Sequence, residues 1–387
     1  MRSLLAGAQV ALTLALVVAS ALILGAVNRA ANGATGFDKR NLITARLTLP
    51  EGPYADAQRR RAFGEQVRVS VTGLPSVTDA ALISALPYTN LAASRTLFLD
   101  GQPADDATPR TVDLQRTTSG YLSALRIPLI AGRNLSDGDG PDAPRVALVS
   151  QKLAEEYWPT QDPLGRRIRL EKDGEWLTVV GVVGDVLQDW FTGKRIPTVY
   201  RPFGQDPTFS MTFVARTSGD PLLLADAVRR AVTAADPDQP IENLATMDDV
   251  IRAKVTGIDY FARVLTVMSG LALVLALTGM YSLMSYLSAR RTKEIGLRLA
   301  LGATRQQVMW LTASRAGRIT AGGVLAGVAL ATMLSRVMQS ALFGLVSPSA
   351  AVLVGAVALL TAVTMAAGYV PARRAARQDP WVALRTE

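Results

Sequence analysis

The chain is 387 residues long, 49% hydrophobic and 19% charged, with a formal charge of +9. It contains neither Cys nor His, which excludes disulfides and removes the commonest zinc ligands, the usual general base and the thiolate nucleophile. Residues 28–260 hold 27 Lys+Arg against 29 Asp+Glu, and the remaining segments hold 14 against 3; a basic excess gathered beside apolar runs, without interleaved aromatics, sets membrane topology rather than binding nucleic acid.

The first candidate span is Leu4–Val27, 24 residues without a charge, against the roughly 20 apolar residues a bilayer core requires. It is longer than a signal-peptide core and is read as a retained helix; Ala19-Ser20-Ala21 keeps a cleaved signal as the alternative. Residues 28–260 follow as a hydrophilic region long enough for one large or two small domains. Within it two segments echo each other: strand Leu42–Leu47, helix Asp56–Thr72 and strand Val77–Ser84, then strand Ser210–Arg216, helix Pro221–Ala235 and strand Ile241–Ala245. Phe63, Val67 and Val71 line one helix face, and Leu224, Val228 and Val232 the other. Asp220 before Pro221 is a helix start. The two α/β halves, 41–98 and 207–255, are expected to pair, with a strand-rich subdomain inserted at 99–206. Its expected strands are Val146–Val149, Arg167–Leu170, Leu177–Val183 and Thr198–Tyr200, separated by Ser136-Asp137-Gly138-Asp139-Gly140 and Lys172-Asp173-Gly174 turns.

Three further spans lie in 261–387: about 264–289, 316–338 and 349–370, the last expected to stop at Pro371. The third span is the weakest, because Arg318 and Arg336 bracket only 17 uncharged residues; both arginines should snorkel to opposite interfaces. Gly323 and Gly327 form a GxxxG that permits close helix packing. The fold expected is therefore a membrane α-helical protein of four transmembrane helices, with a large α+β extracytoplasmic domain inserted between helices 1 and 2. The basic ends and the connector 290–307 should face the cytoplasm.

Several short motifs read as structural. Gly181-Val182-Val183-Gly184-Asp185 lacks the GxxxxGK[ST] cradle that would hold a nucleotide phosphate, so it reads as a strand ending in a turn. Asn134-Leu135-Ser136 is a chance-level glycosylation sequon, and the acidic pairs Asp105-Asp106 and Asp248-Asp249 suit loop and helix-start roles better than cation binding.

The connector reads RRTKEIGLRLALGATRQQ from Arg290 to Gln307. Glu294 and Arg298 stand i, i+4 in the favourable order, with Ile295 and Leu299 as a parallel apolar pair. Gly302-Ala303 ends this short amphipathic helix, and Thr304–Gln307 forms a capping box for the next. The pattern alone fits either an interfacial helix with an internal ion pair or a docking surface for a cytoplasmic partner.

Arg291 to Ala303 resembles the R-x-x-E-I-G-x-R-x-A-x-G-A signature of MacB/FtsX-type ABC transporter permeases. Pro371 to Arg385 resembles the same family's P-A-x-x-A-A-x-x-D-P-x-x-A-L-R tail, and Tyr121–Asp137, Gly165–Ile168 and Val179–Asp185 look like its extracytoplasmic domain. More narrowly, the chain is similar to the second half of the duplicated orphan permeases, proteins with two such four-span units. The resemblance implies a bacterial inner-membrane protein with cytoplasmic termini. It further implies no enzymatic activity and no cofactor of the chain's own, ATP being bound by a cytoplasmic ABC ATPase. Lys293, Glu294, Ile295, Gly296, Arg298, Leu301, Gly302 and Ala303 would contact that ATPase. A second permease unit, as homodimer or paired half, and a periplasmic adaptor are the other implied partners. Nucleotide-driven movement of the outer domain for export is the implied function; the alternative is FtsX-like transmembrane signalling to an envelope enzyme.

Overall fold

The computed structural model describes residues 2–33, 35–89, 91–102, 109–188, 195–289, 305–341 and 350–376. In chain order these form α1 (Arg2–Asn32), β1 (Leu42–Thr48), α2 (Ala57–Thr72), β2 (Val77–Ile83), β3 (Ala93–Thr96), β4 (Phe98–Leu99), β5 (Thr111–Thr117), α3 (Tyr121–Leu125) and β6 (Leu129–Gly132). There follow β7 (Val146–Ser150), α4 (Gln151–Tyr157), β8 (Arg167–Arg169), β9 (Leu177–Val183), β10 (Thr198–Pro202), β11 (Ser210–Thr217), a 3-10 turn Pro221–Leu224, α5 (Ala225–Ala235) and β12 (Ile241–Thr246). Three long helices complete the described chain: α6 (Met247–Ala289), α7 (Arg305–Ala341) and α8 (Ala350–Ala376). Two compact units result, one of residues 30–255 and one of residues 1–29 with 256–387.

In the 30–255 unit, β12, β1, β11 and β2 lie side by side, all antiparallel, with β1 and β11 in register from Leu42↔Arg216 to Thr48↔Ser210. One face is covered by α2 and α5. Phe63, Val67 and Val71 of α2 and Val228 and Val232 of α5 are buried there against Ile43, Ala45, Leu47 and Phe213, as their helical spacing requires. Asp56 caps α2 by accepting from Gln58 N at 2.8 Å. Asp220 caps the second helix by accepting from Leu222 N at 3.0 Å. That helix opens as a 3-10 turn over Pro221–Leu224 before becoming α-helical at Ala225, a common form of helix start.

The strands within 99–206 continue this sheet instead of building another. The path runs β12-β1-β11-β2-β5-β10-β7-β9-β8-β4, and the junction between β2 and β5 is the single pair Ile83↔Thr117. β5 pairs with β10 and β7 with β9 in parallel. This half has its own core around Leu114, Val149, Leu153, Trp158, Ile168 and Val199. On the sheet face opposite α2 and α5, a further core gathers Leu42, Tyr88, Tyr121, Leu125, Val214, Met247 and Ile251.

Four helices are long and apolar enough to cross a membrane, over Leu5–Asn28, Met247–Tyr286, Thr320–Val337 and Ala350–Ala367, with mean hydropathies of 2.6, 1.9, 1.4 and 2.3. The lowest belongs to the segment bracketed by Arg318 and Arg336. α6 begins well before the apolar stretch: 43 residues at 1.5 Å per residue make it about 65 Å long, roughly twice a bilayer core. The expected stop at Pro371 is corrected, because α8 runs through it to Ala376. A proline removes one helical hydrogen bond and kinks or strains the turn before it, and flanking turns can resume the helix.

Candidate functional site: the entry and exit of the outer domain

The chain enters the 30–255 unit after α1 and leaves it through α6. The entry is the segment following α1, residues 35–41. Leu187 N donates to Thr35 O at 2.9 Å, and Asp38 N donates to Leu125 O at 2.9 Å. Gly36 adopts φ +80, and a side chain there would overlap the Asp185 carbonyl, so the left-handed turn and the close approach both require glycine.

The entry is fastened by one buried cation. Arg216, 4% exposed on β11, donates from Nε to Ala124 O at 2.6 Å, from Nη1 to Arg40 O at 2.9 Å and from Nη2 to Asp38 O at 2.6 Å. Its guanidinium also lies 3.7 Å from the Asp38 carboxylate. Three backbone carbonyls on two separate segments are thus held by one planar fork, a geometry lysine does not offer. Asp38 in turn accepts from Arg40 Nε at 3.1 Å and from Arg126 Nη1 at 2.9 Å. Burial opposes its ionisation, but the Arg40 hydrogen bonds and the neighbouring guanidinium charges outweigh it and hold the carboxyl below its ordinary value. Burial pulls the Arg216 guanidinium down from its usual range, partly offset by Asp38.

The exit has no linker. Thr246 ends β12 and Met247 begins α6. Thr246 Oγ1 accepts from Asp249 N at 3.1 Å and donates to its carboxylate at 2.7 Å, a reciprocal cap. Asp248 pairs with Lys39 at 3.6 Å, which ties the exit to the entry segment. Met247, Ile251 and Val255 are buried, so the helix that carries the second apolar stretch has its first turns in the outer-domain core. Asp248 and Asp249 therefore serve as helix-start residues, and among the described residues no acidic cluster suited to a metal is present.

Among the apolar helices, α1 lies innermost: 67% of its apolar window is buried, against 17% to 28% for the other three. Val10, Leu14, Val18 and Leu22 line its buried face. Ser269 Oγ donates to Leu16 O at 3.2 Å and Thr13 Oγ1 lies 3.4 Å from Ala272 O, bonds that align α1 with α6. Gly323 and Gly327 of α7 face α1. A methyl built on Gly323 would stand 2.9 Å from Gly7 O and Val10 Cβ, and one on Gly327 would stand 2.9 Å from Leu14 Cδ2 and 3.1 Å from Ala11 Cα.

The connector residues Lys293, Glu294, Ile295, Gly296, Arg298, Leu301, Gly302 and Ala303 lie outside the described residues, as do Asp105 and Asp106. The Gly181–Asp185 motif is the end of β9 followed by an irregular segment instead of the expected turn, with Asp185 Oδ1 accepting from Lys152 N at 2.7 Å. Asn134 is engaged internally, donating to Ser119 O at 2.9 Å. The sequence gives little sign of the roles of Arg216 and the 35–41 segment: an Arg at the end of an apolar strand resembles an ordinary strand terminus, and the signal it carries is its place directly after the uncharged run Ser210–Ala215.

A large α+β domain set between the first and second of four helices long enough and apolar enough to cross a membrane is the build of a membrane permease with an inserted domain. The sequence matches the MacB-like periplasmic core domain family over residues 8–240 and the FtsX-like permease C-terminal family over residues 266–380; the chain belongs to the permeases that join these two parts. It is 26% identical over 339 residues to the macrolide export ATP-binding/permease protein MacB of Neisseria gonorrhoeae, covering 84% of this chain and 51% of that protein. It is 27% identical to the pyoverdine export ATP-binding/permease protein PvdT of Pseudomonas syringae pv. tomato over 270 residues, 67% of this chain and 40% of that protein. With the uncharacterized ABC transporter permease YknZ of Bacillus subtilis it shares 26% over 280 residues, 69% and 68% of the two chains. The chain thus spans about half the length of the MacB relative. The solved periplasmic region of MacB from Actinobacillus actinomycetemcomitans overlays 59% of this chain and 98% of its own length, with a TM-score of 0.40 at 12% identity.

Proposed function

We propose that the chain is the transmembrane subunit of an ABC-type exporter, in which a separate cytoplasmic ATPase binds and hydrolyses ATP and the chain carries the resulting movement to its extracytoplasmic domain. The supporting observation is that its two family matches, a MacB-like periplasmic core domain over residues 8–240 and an FtsX-like permease part over residues 266–380, are both permease parts, and that relatives it resembles are named ATP-binding/permease export proteins. In this reading the connector, with Glu294, Gly296, Arg298 and Gly302 at its centre, is the ATPase contact. The termini face the cytoplasm of a bacterial inner membrane, because placing the net positive charge of the membrane-adjacent segments outside would invert the charge rule. A second permease unit completes the assembly, and an adaptor on the outer domain receives the exported molecule.

The test is purification of the full chain from its native membranes, with ATP hydrolysis measured on the recovered complex. Glu294→Lys reverses a charge at the contact and should abolish ATPase association while leaving insertion and outer-domain folding intact. Glu294→Gln compared with Arg298→Gln separates docking from local stability. If Glu294 acts only through its ion pair, both single changes will be equally mild, about 0.5 kcal/mol or less, and the docking role falls. ATP hydrolysis by the isolated chain would overturn the assignment.

A further inference from the structure

On the sheet face that α2 and α5 leave uncovered, a pocket of about 480 Å³ opens between β1, β11, β12, residues Leu86, Thr89 and Leu91, and the first turns of α6. It is in the size range of small-molecule sites. Its existence depends on a break in the edge strand. β12 pairs Ala245 with Thr44 and Glu242 with Arg46, so Asn243 and Leu244 together oppose Ala45, with Asn243 at φ +50. Such a bulge bends the strand and re-aims its side chains; here Asn243 and Leu244 become lining residues.

The lining separates into two characters. Leu86, Leu91, Leu244 and Val250 supply an apolar floor, and Leu91 is 51% exposed although large and hydrophobic. The Thr44 and Thr89 hydroxyls donate to the carbonyls of Ala245 at 3.1 Å and Leu86 at 2.6 Å, and so their donors are already spent. The charged lining residues are Arg46, Lys254 and Asp249. Asp249 is turned into its own helix start by the Thr246 hydroxyl at 2.7 Å. Arg46 donates to Ser210 Oγ at 3.2 Å and stands 4.0 Å from Glu242, at the limit of an ion pair. Lys254 is exposed on the second turn of α6.

We infer that this pocket binds a small anionic amphiphile, with its apolar body on the leucine floor and its acidic group between Arg46 and Lys254. A cavity with an apolar floor, two cations in its lining and its one lining carboxylate engaged elsewhere favours a negative head over a positive or neutral one. A ligand seated there touches the sheet and α6 together, so its occupancy bears on the helix through which the domain exits. The inference rests on the pocket and not on the exporter reading, so either can fail alone.

The chain has no cysteine, so a single one is a clean reporter. Ala253→Cys places a thiol in the pocket, and Lys172→Cys, on an exposed turn, is the control. In nanodisc-reconstituted full-length protein, octanesulfonate should slow maleimide labelling at position 253 about tenfold and leave position 172 unchanged. Octyltrimethylammonium of the same chain length should not protect. Adding Lys254→Gln, a change confined to an exposed side chain, should lower octanesulfonate affinity at least fivefold, and Arg46→Gln should do the same. Absent protection, equal protection by both amphiphiles, protection at both cysteines, or protection untouched by Lys254→Gln would each overturn the assignment.

Discussion

Arg216 sets the energetic scale of the domain entry. Removing its side chain in Arg216→Met would orphan the carbonyls of Asp38, Arg40 and Ala124 that it now satisfies. The bond to Ala124 O is buried and those to Arg40 O and Asp38 O are part-buried; at about 1–3 kcal/mol for a buried acceptor left without a partner and less where water can reach it, the variant should lose about 2 kcal/mol or more of outer-domain stability. Arg216→Lys should fall between, since an ammonium cannot reach both segments in one plane. Denaturant unfolding of the solubilised protein followed by tryptophan fluorescence checks this; equal stability of all three proteins would refute the clamp. Asp139 supplies the pH-dependent counterpart. Its carboxylate accepts from Arg133 Nη1 at 2.8 Å, Arg133 Nη2 at 2.9 Å and Ser136 N at 2.8 Å. The Arg133 bonds, against the opposing effect of burial, hold it below the ordinary 3.8. A carboxyl lowered in the folded state stabilises fully above its unfolded value and loses that contribution as pH falls through the folded one. Melting temperature should therefore drop below about pH 4 more steeply in the parent than in Asp139→Asn, which starts lower and runs flatter. Identical acid limbs would refute a stabilising role for the ionised Asp139.

At the scale of single elements, close approach and periodicity decide what was legible. α2 and α5 were readable because apolar residues recur at helical spacing behind Asp caps. β5 was not, because its sequence TVDLQRT carries Asp113 and Gln115 on buried positions. Gln115 is tolerated there because its Oε1 accepts from Ser84 Oγ at 2.8 Å and Ala85 N at 3.2 Å, partners 30 residues away that no local pattern announces. α3 and α4, of five and seven residues, are too short for a period to register. For α7, Gly323→Leu would drive a side chain into Gly7 and Val10 of α1. Overpacking of this kind costs about 1–3 kcal/mol, so the solubilised variant should melt several degrees lower, and Gly322→Leu, where nothing lies within 4 Å, should not. Equal melting of the two variants would show that the glycines do not set the α1–α7 approach.

For the whole molecule, the order of its parts and the pairing of the two α/β halves are legible in the sequence, and the way the strands of 99–206 continue the same sheet is not. Apolar run lengths and charge placement located four spans and the hydrophilic region between the first two. The joining of two half-sheets through Ile83↔Thr117 and the clamp across residues 38, 124 and 216 depend on contacts far apart in sequence, which local propensity does not encode. The proposed coupling requires the connector and the outer domain to lie on opposite sides of the membrane. The most direct test uses the absence of native cysteine: Thr292→Cys in the connector and Asp100→Cys on the outer domain, each probed in intact cells with a membrane-impermeant maleimide. Asp100→Cys should label from outside and Thr292→Cys only after the membrane is opened; labelling of both from the same side would contradict the opposite placement of connector and outer domain.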